Sequence, residues 1–165
     1  MSSFVTLLTL PTVVNAQTTL HHAPRTPAEI ALNNVITLDG SKGIADTALV
    51  KGTGPYVTLF TPDLVRAVRR ADRAADPPNC EGVCGLGFDP IVCAQDNPPA
   101  PLYRTISVIG SNEALIGYVG GWDGENNTEF GRYRMVKIGS MWKVDGIECD
   151  PDGKFDASAT KFNMR

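Results

Sequence analysis

The sequence predicts an α+β domain in which helices precede an antiparallel sheet. Three observations carry that prediction. A helical apolar stripe begins at Thr61, the hydrophobic period switches to two after Pro101, and period-two runs then follow one another across short turns. The expected architecture is N-terminal helices packed on a curved sheet of about four antiparallel strands.

The 165 residues fit one domain, and 42% hydrophobic with 20% charged is ordinary globular usage, so a real core is expected. Residues 1–16 read as the remnant of a signal peptide. Residues 4–14 are uncharged and apolar, Val14-Asn15-Ala16 resembles a small-residue cleavage site, and no Lys or Arg precedes Arg25. Residues 17–28 have two prolines and no period, so a flexible leader carrying His21 and His22 is expected there. A single α+β domain over 29–150 and a polar, frayed tail over 151–165 complete the organisation.

Within the domain, residues 29–50 are ambiguous. Leu38-Asp39-Gly40-Ser41-Lys42-Gly43 is turn-rich, lacks the spacing of a phosphate-binding loop, and reads as a connection before a short helix near Ala45. Residues 56–60 close a short helix. Thr61 can then cap the next one, Pro62 suits its first position, and Asp63 lies near the positive end of its dipole. Leu64, Val68, Ala71 and Ala75 form its apolar stripe. Phe60 and Val65 are placed for a hydrophobic staple, and Pro77-Pro78 ends the helix. Arg66, Arg69, Arg70 and Arg73 make a second stripe, either a surface for an acidic partner or a solvated face offset by Asp63, Asp72 and Asp76.

Residues 79–101 are loop-like, with one turn of helix after Pro90. Strands are expected over 102–109, 113–122, 129–138 and 141–149. In the second, Ala114, Ile116, Tyr118 and Trp122 share one face, and Gly117, Gly120 and Gly121 mark curvature or close approach. Curvature leaves room for a concave pocket, with Trp142, Val144 and Gly146 sharing its interior. Arg132 and Arg134 are expected to pair with Asp145 or Glu148 across the sheet.

The four cysteines, Cys80, Cys84, Cys93 and Cys149, suggest two disulfides with three possible pairings. Cys93 with Cys149 and Cys80 with Cys84 is the preferred set; the longer link closes about 55 residues, on the order of 4 kcal/mol in the chain-entropy account. A C-x3-C spacing argues against zinc. Asp150, Asp152, Gly153 and Asp156 miss the register of a calcium loop. No metal and no cofactor is expected. The net charge of -3 gives no footprint for nucleic acid, and no apolar run is long enough to span a bilayer.

Chemistry concentrates between Asp89 and Asp96. Asp89, Gln95 and Asp96 offer two carboxylates and an amide, enough for acid–base work if their environments split their pKa values. The structural alternative is a turn at Asp89-Pro90 with the carboxylate on backbone amides, and Gln95 and Asp96 tying the loop to the sheet. The domain holds no histidine between residues 29 and 150, so no Ser-His or Cys-His pair can form there.

Phe60-Thr61-Pro62-Asp63-Leu64, then Asp89-Pro90 with Gln95-Asp96, then the closing Trp142-Lys143-Val144-Asp145-Gly146-Ile147 together resemble a bacterial domain-of-unknown-function family of exported proteins and small lipoproteins. The resemblance covers roughly residues 45–149 and rests most on the D-P-x4-Q-D pattern. It implies a cone-shaped fold like nuclear transport factor 2 and the cystatin-like group, and a periplasmic or secreted location. It implies no activity. Gly146 departs from the family pattern, where a second acid often follows Asp145.

The function expected from the sequence is a non-enzymatic exported binding module engaging a protein or envelope component, with an immunity or inhibitor role as one version. The alternative is a small-molecule binder or carboxylate hydrolase using the concave pocket. Candidate binding residues are Asp89, Gln95, Asp96, Tyr118, Trp122, Trp142 and Asp145.

Overall fold

Thr26-Pro27-Ala28-Glu29 starts the first helix, α1 (Pro27–Lys42). Thr26 Oγ1 accepts from the Glu29 amide at 3.2 Å, Glu29 Oε2 accepts from the Thr26 amide at 3.0 Å, and Pro27 sits in the first turn. The computed structural model describes residues 21–75, 85–95, 100–119, 129–151 and 160–164. The expected signal segment, Cys80, Cys84, Asp96, Trp122, Gly120, Gly121 and Pro77-Pro78 lie outside the described residues.

Two expectations for the N-terminal third are corrected. The helix runs straight through the stretch read as a connection, because Leu32, Val35, Ile36 and Asp39 are buried along it. That burial outweighs the roughly 1 kcal/mol that one interior glycine costs. It stops only at Gly43, whose φ of 60° and amide bond to Asp39 O at 3.0 Å form a left-handed cap. Residues 21–28 are not a loose leader either. His22 and Tyr103 exchange backbone hydrogen bonds at 2.9 and 2.8 Å, which lays the segment beside the sheet.

A π-helical segment (Ala45–Val50) and a short 3-10 turn (Val57–Leu59) lead to α2 (Pro62–Ala75). The expected staple positions are both buried, Phe60 at 2% and Val65 at 8% exposure. Phe60 also bridges Val144, and the Thr61 amide donates to Val144 O at 3.0 Å, so the entry to α2 extends the sheet edge.

The sheet is an antiparallel meander, β1 (Leu102–Ile109), β2 (Glu113–Val119), β3 (Gly131–Ile138), β4 (Met141–Cys149) and β5 (Thr160–Phe162), in that spatial order. The first four match the period-two runs. β5 corrects the frayed-tail expectation: Phe162 pairs with Ile147 and is 1% exposed, so a buried aromatic holds the last strand down. α1 and α2 pack against β4, and the core fills the space between them and Ala114, Ile116, Met135, Val144 and Ile147. Tyr103, Tyr118 and Tyr133 run across the core side of the sheet with ring centroids 6.1 and 5.9 Å apart. No described helix is long and apolar enough to cross a membrane.

On the opposite side of β2, Gly117 has a specific cause. Its strand neighbours are Arg104 on β1 and Arg132 on β3. Glu129, only 2% exposed, sits over Gly117 where any Cβ would collide with its carboxylate. Arg104 Nε donates to Glu129 Oε1 at 3.0 Å and Arg132 Nε to Oε2 at 2.7 Å. The absent side chain therefore admits a buried acid held between two guanidinium groups. Burial alone would raise the Glu129 carboxyl, but the two arginines hold it below the usual range.

Cys93 and Cys149 form a disulfide with Cα atoms 5.2 Å apart at a sequence separation of 56. Removing it by Cys93→Ala/Cys149→Ala is expected to cost about 4 kcal/mol in urea unfolding, by loss of the loop constraint on the unfolded chain. Gly117→Ala is expected to cost about 2–4 kcal/mol by ejecting Glu129 from its clamp. Glu129→Ala should cost a similar amount, and the double variant less than the sum; additive losses in the same unfolding assay would show the glycine and the clamp to be unrelated.

Candidate functional site

Asp89 opens a tight turn. Its amide donates to Ala94 O at 3.0 Å, its carbonyl accepts from the Cys93 amide at 2.9 Å, and its Oδ1 accepts from the Ile91 amide at 2.7 Å. An Asp preceding Pro forms such a turn because the short side chain imitates a backbone acceptor. The turn is fastened at three further points. Ile91 and Val92 are 1% and 0% exposed, Tyr133 Oη donates to Ile91 O at 2.6 Å, and Cys93 is bonded to β4. Cys93 takes φ 56° to reach its partner, and Gly131 leaves space where a Cβ would lie 3.0 Å from the Cys93 sulfur.

The turn sets Asp89 beside Asp39, which arrives from the last turn of α1. Asp39 is 4% exposed, and its Oδ1 accepts from the Ala45 amide at 2.8 Å. A hydrogen bond to the Asp39 carboxyl is among the causes that shift Asp89. Burial, then that hydrogen bond, then the charge of Asp39 push Asp89 up to about 8, against the opposing pull of the Ile91 and Val92 amides. Behind the pair lies Tyr118, fully buried, with a hydroxyl that has no hydrogen-bond partner among the described residues. Burial raises the Tyr118 phenol well above its ordinary value, and Tyr103, Asp89 and Asp39 add to the effect.

In front of the pair opens a cleft of about 670 Å³ between the end of α1, the π-helical segment, α2 and residues 85–90. Asp39, Asp46, Asp72 and Asp89 all line it, together with Leu86 and Phe88, and among the described residues no Lys, Arg or His does. Asp46 is exposed, while Asp72 Oδ1 is 3.4 Å from the Leu86 amide. The described lining contains no strand residue, so this cleft belongs to the helices rather than to a concave sheet face. Such a site favours a cation or a multiple hydrogen-bond donor.

The remaining expected residues are scattered. Asp145 is the extra residue of a bulge in β4 and joins three elements. It accepts from Thr61 Oγ1 at 2.5 Å, pairs with Arg134, and takes the Asn163 side chain at 3.3 Å on Oδ1 and 2.7 Å on its carbonyl. Gly146 is needed there because a Cβ would lie 2.9 Å from Asn163 O. Trp142 is half-buried against the core and Gln95 is exposed beyond the turn. On α2, Arg66, Arg70 and Arg73 are exposed, whereas Arg69 lies over Gly52 at 2.8 Å from where a Cβ would stand.

His21 and His22 face acids. His21 Nε2 is 3.5 Å from Glu129 and His22 Nε2 is 3.9 Å from Glu29, a fully buried carboxylate that also accepts from Thr105 Oγ1 at 2.7 Å. Burial lowers the His21 pKa despite Glu129. Among the described residues no three His, Cys, Asp or Glu side chains group as a metal site would require.

Asp39, Asp46 and Asp72 are the cleft residues that sequence reasoning did not single out. The capping box at Thr26 to Glu29 signals the helix that carries Asp39, but nothing in the sequence pairs Asp39 with a residue fifty positions later. No protein-family model matches the chain, and comparison with curated proteins and with solved structures yields no match.

The raised Asp89 pKa fixes a sign. A carboxyl more readily protonated in the folded than the unfolded chain stabilises the fold below its unfolded pKa, and that contribution is lost as pH rises through about 8. Unfolding free energy should therefore fall between pH 5 and pH 9. Asp89→Asn, which keeps an acceptor for Ile91 and a donor for Asp39, should flatten that fall; an unchanged pH profile in chemical denaturation would separate Asp89 from it.

Proposed function

We propose that the protein is an exported, non-enzymatic binding module whose working site is the acidic cleft, and that the cleft receives an amine or guanidinium group. The observation that carries this reading is four carboxyl groups lining one cavity with no basic residue among its described lining. A cation entering it meets focused negative potential and the apolar wall of Leu86 and Phe88, the pairing of a few placed polar groups with apolar surface that ligand sites use. Asp89 and Asp39 are each tied to backbone amides, which suits a rigid wall. Asp46 and Asp72 supply the charge.

The amine or guanidinium belongs either to a small molecule or to a Lys or Arg side chain of a partner protein, and an inhibitor gripping a basic residue of a secreted toxin is one form of the second. A periplasmic or secreted location agrees with a disulfide, since oxidising compartments preserve such bonds. The resemblance of residues 45–149 to the exported bacterial family, with its expected cone-shaped fold, supports the same compartment.

Calorimetric titration with 1,5-diaminopentane and with the peptide Gly-Arg-Gly-Arg-Gly tests the reading. Saturable binding is expected for at least one, weakened on the order of tenfold by Asp46→Asn and further by Asp46→Asn/Asp72→Asn. Absence of saturation with both probes, or affinity indifferent to both substitutions, would remove the cleft from consideration.

A further inference from the structure

A second concavity, independent of the cleft, lies at the sheet edge where the 3-10 turn meets α2. It measures about 350 Å³ and is walled by Val57, Phe60, Pro62 and Val65, with exposed Thr58 on its rim. That is room for one aromatic or long aliphatic side chain. Its remaining lining residues, Arg66 and Lys143, are both cationic.

From Arg66 the positive charge continues along α2. Arg66, Arg70 and Arg73 stand at i, i+4 and i+7, so they share one helix face, and all three are exposed. Arg66 pairs with Asp63, but Lys143, Arg70 and Arg73 enter no ion pair among the described residues. In a chain of net charge -3, this is a local reversal of sign that begins at an apolar hole. The stripe spans about 10 Å from Arg66 to Arg73 at 1.5 Å per residue. An extended peptide covers that distance in about three residues.

We propose that the slot and the arginine stripe together form a docking surface for an acidic protein segment bearing one apolar anchor, with the anchor in the slot and carboxylates of the next three or four residues on Lys143, Arg70 and Arg73. Charge complementarity selects the occupant. A neutral apolar segment would fill the slot and leave the stripe unanswered. A fatty acid would present one carboxylate at the slot mouth and never reach Arg73. The desolvated anchor would supply most of the affinity, and the arginines register, on-rate and salt sensitivity.

The test is fluorescence anisotropy with the labelled peptide Phe-Glu-Asp-Glu-Asp-Gly on the full chain, disulfide intact. Controls replace Phe by Ala, or every acid by its amide, and decanoate serves as competitor. Saturable binding is expected, about tenfold or more weaker for either control peptide and falling as salt is raised. Arg70→Glu/Arg73→Glu and the slot-filling Thr58→Trp alter exposed positions; each should weaken binding by a comparable factor while leaving the circular dichroism spectrum unchanged. Asp46→Asn should bind the peptide as the wild type does, so failure of the cleft reading would leave this result standing. Equal affinity for all three peptides, indifference to the charge reversals, loss on Asp46→Asn, or displacement-sensitive decanoate binding without peptide binding would each overturn the proposal.

Discussion

The constraint on which the rest depends is the threefold fastening of residues 89–94 to the sheet. A segment of six residues with no period of its own has little reason to hold a shape. Here its middle is two apolar side chains that prefer the core, its carbonyl meets the Tyr133 hydroxyl, and its end is covalently bound to β4. Burying Ile91 and Val92 contributes about 1.5–3 kcal/mol each. The disulfide limits how far the unfolded chain can spread. With the turn so held, Asp89 has no freedom to turn from Asp39, and the carboxyl pair follows from the topology.

Comparison among the buried acids makes that pair unusual. Glu129 is gripped by Arg104 and Arg132. Glu29 accepts from the amides of Arg25 and Thr26 and the hydroxyl of Thr105, and these hold its pKa down against burial. Asp145 sits with Arg134, Thr61 and Asn163. Each is answered by donors, as a buried carboxylate must be if it is to support the fold. Asp39 and Asp89 also accept from backbone amides, but they face another acid and pair with no cation among the described residues. A carboxyl set against another at the wall of a cavity is a candidate working group, since such pairs have their pKa values shifted as functional sites do.

The sequence made some of this legible and hid the rest for physical reasons. β1 to β4 were readable because strand alternation and turn residues are local signals, as were the Thr61 cap and the turn at Asp89-Pro90. α1 was obscured by Gly40 and Ser41, whose turn propensity is overridden by Leu32, Val35 and Ile36 reaching the core; the capping box at Thr26 was the stronger clue. β5 escaped because three residues carry no usable period, and only the burial of Phe162 explains it. Gly117 looked like a bend, yet it makes way for a carboxylate twelve residues further on, a relation visible only in space. The Asp39–Asp89 pairing is of the same kind, since long-range register decides it and residue identity does not.

α2 ties these observations into one account of charge. Its apolar face is core, its Asp72 turns to Leu86 and the acidic cleft, and its exposed arginines face solvent beyond the apolar slot. Arg69 leaves the stripe to lie across Gly52, where only a glycine leaves it room. Had all the arginines and aspartates of this helix been interleaved, they would have neutralised each other within a turn or two. Asp63 stays beside Arg66, but Asp72 turns away to Leu86, so the described lining of each concavity carries a single sign. At physiological ionic strength charges are screened over about 8 Å, so exposed groups on different faces act largely on their own ligands. An acidic chain can therefore present a basic edge without weakening the potential in its cleft, and the helix that separates the two surfaces is what permits both.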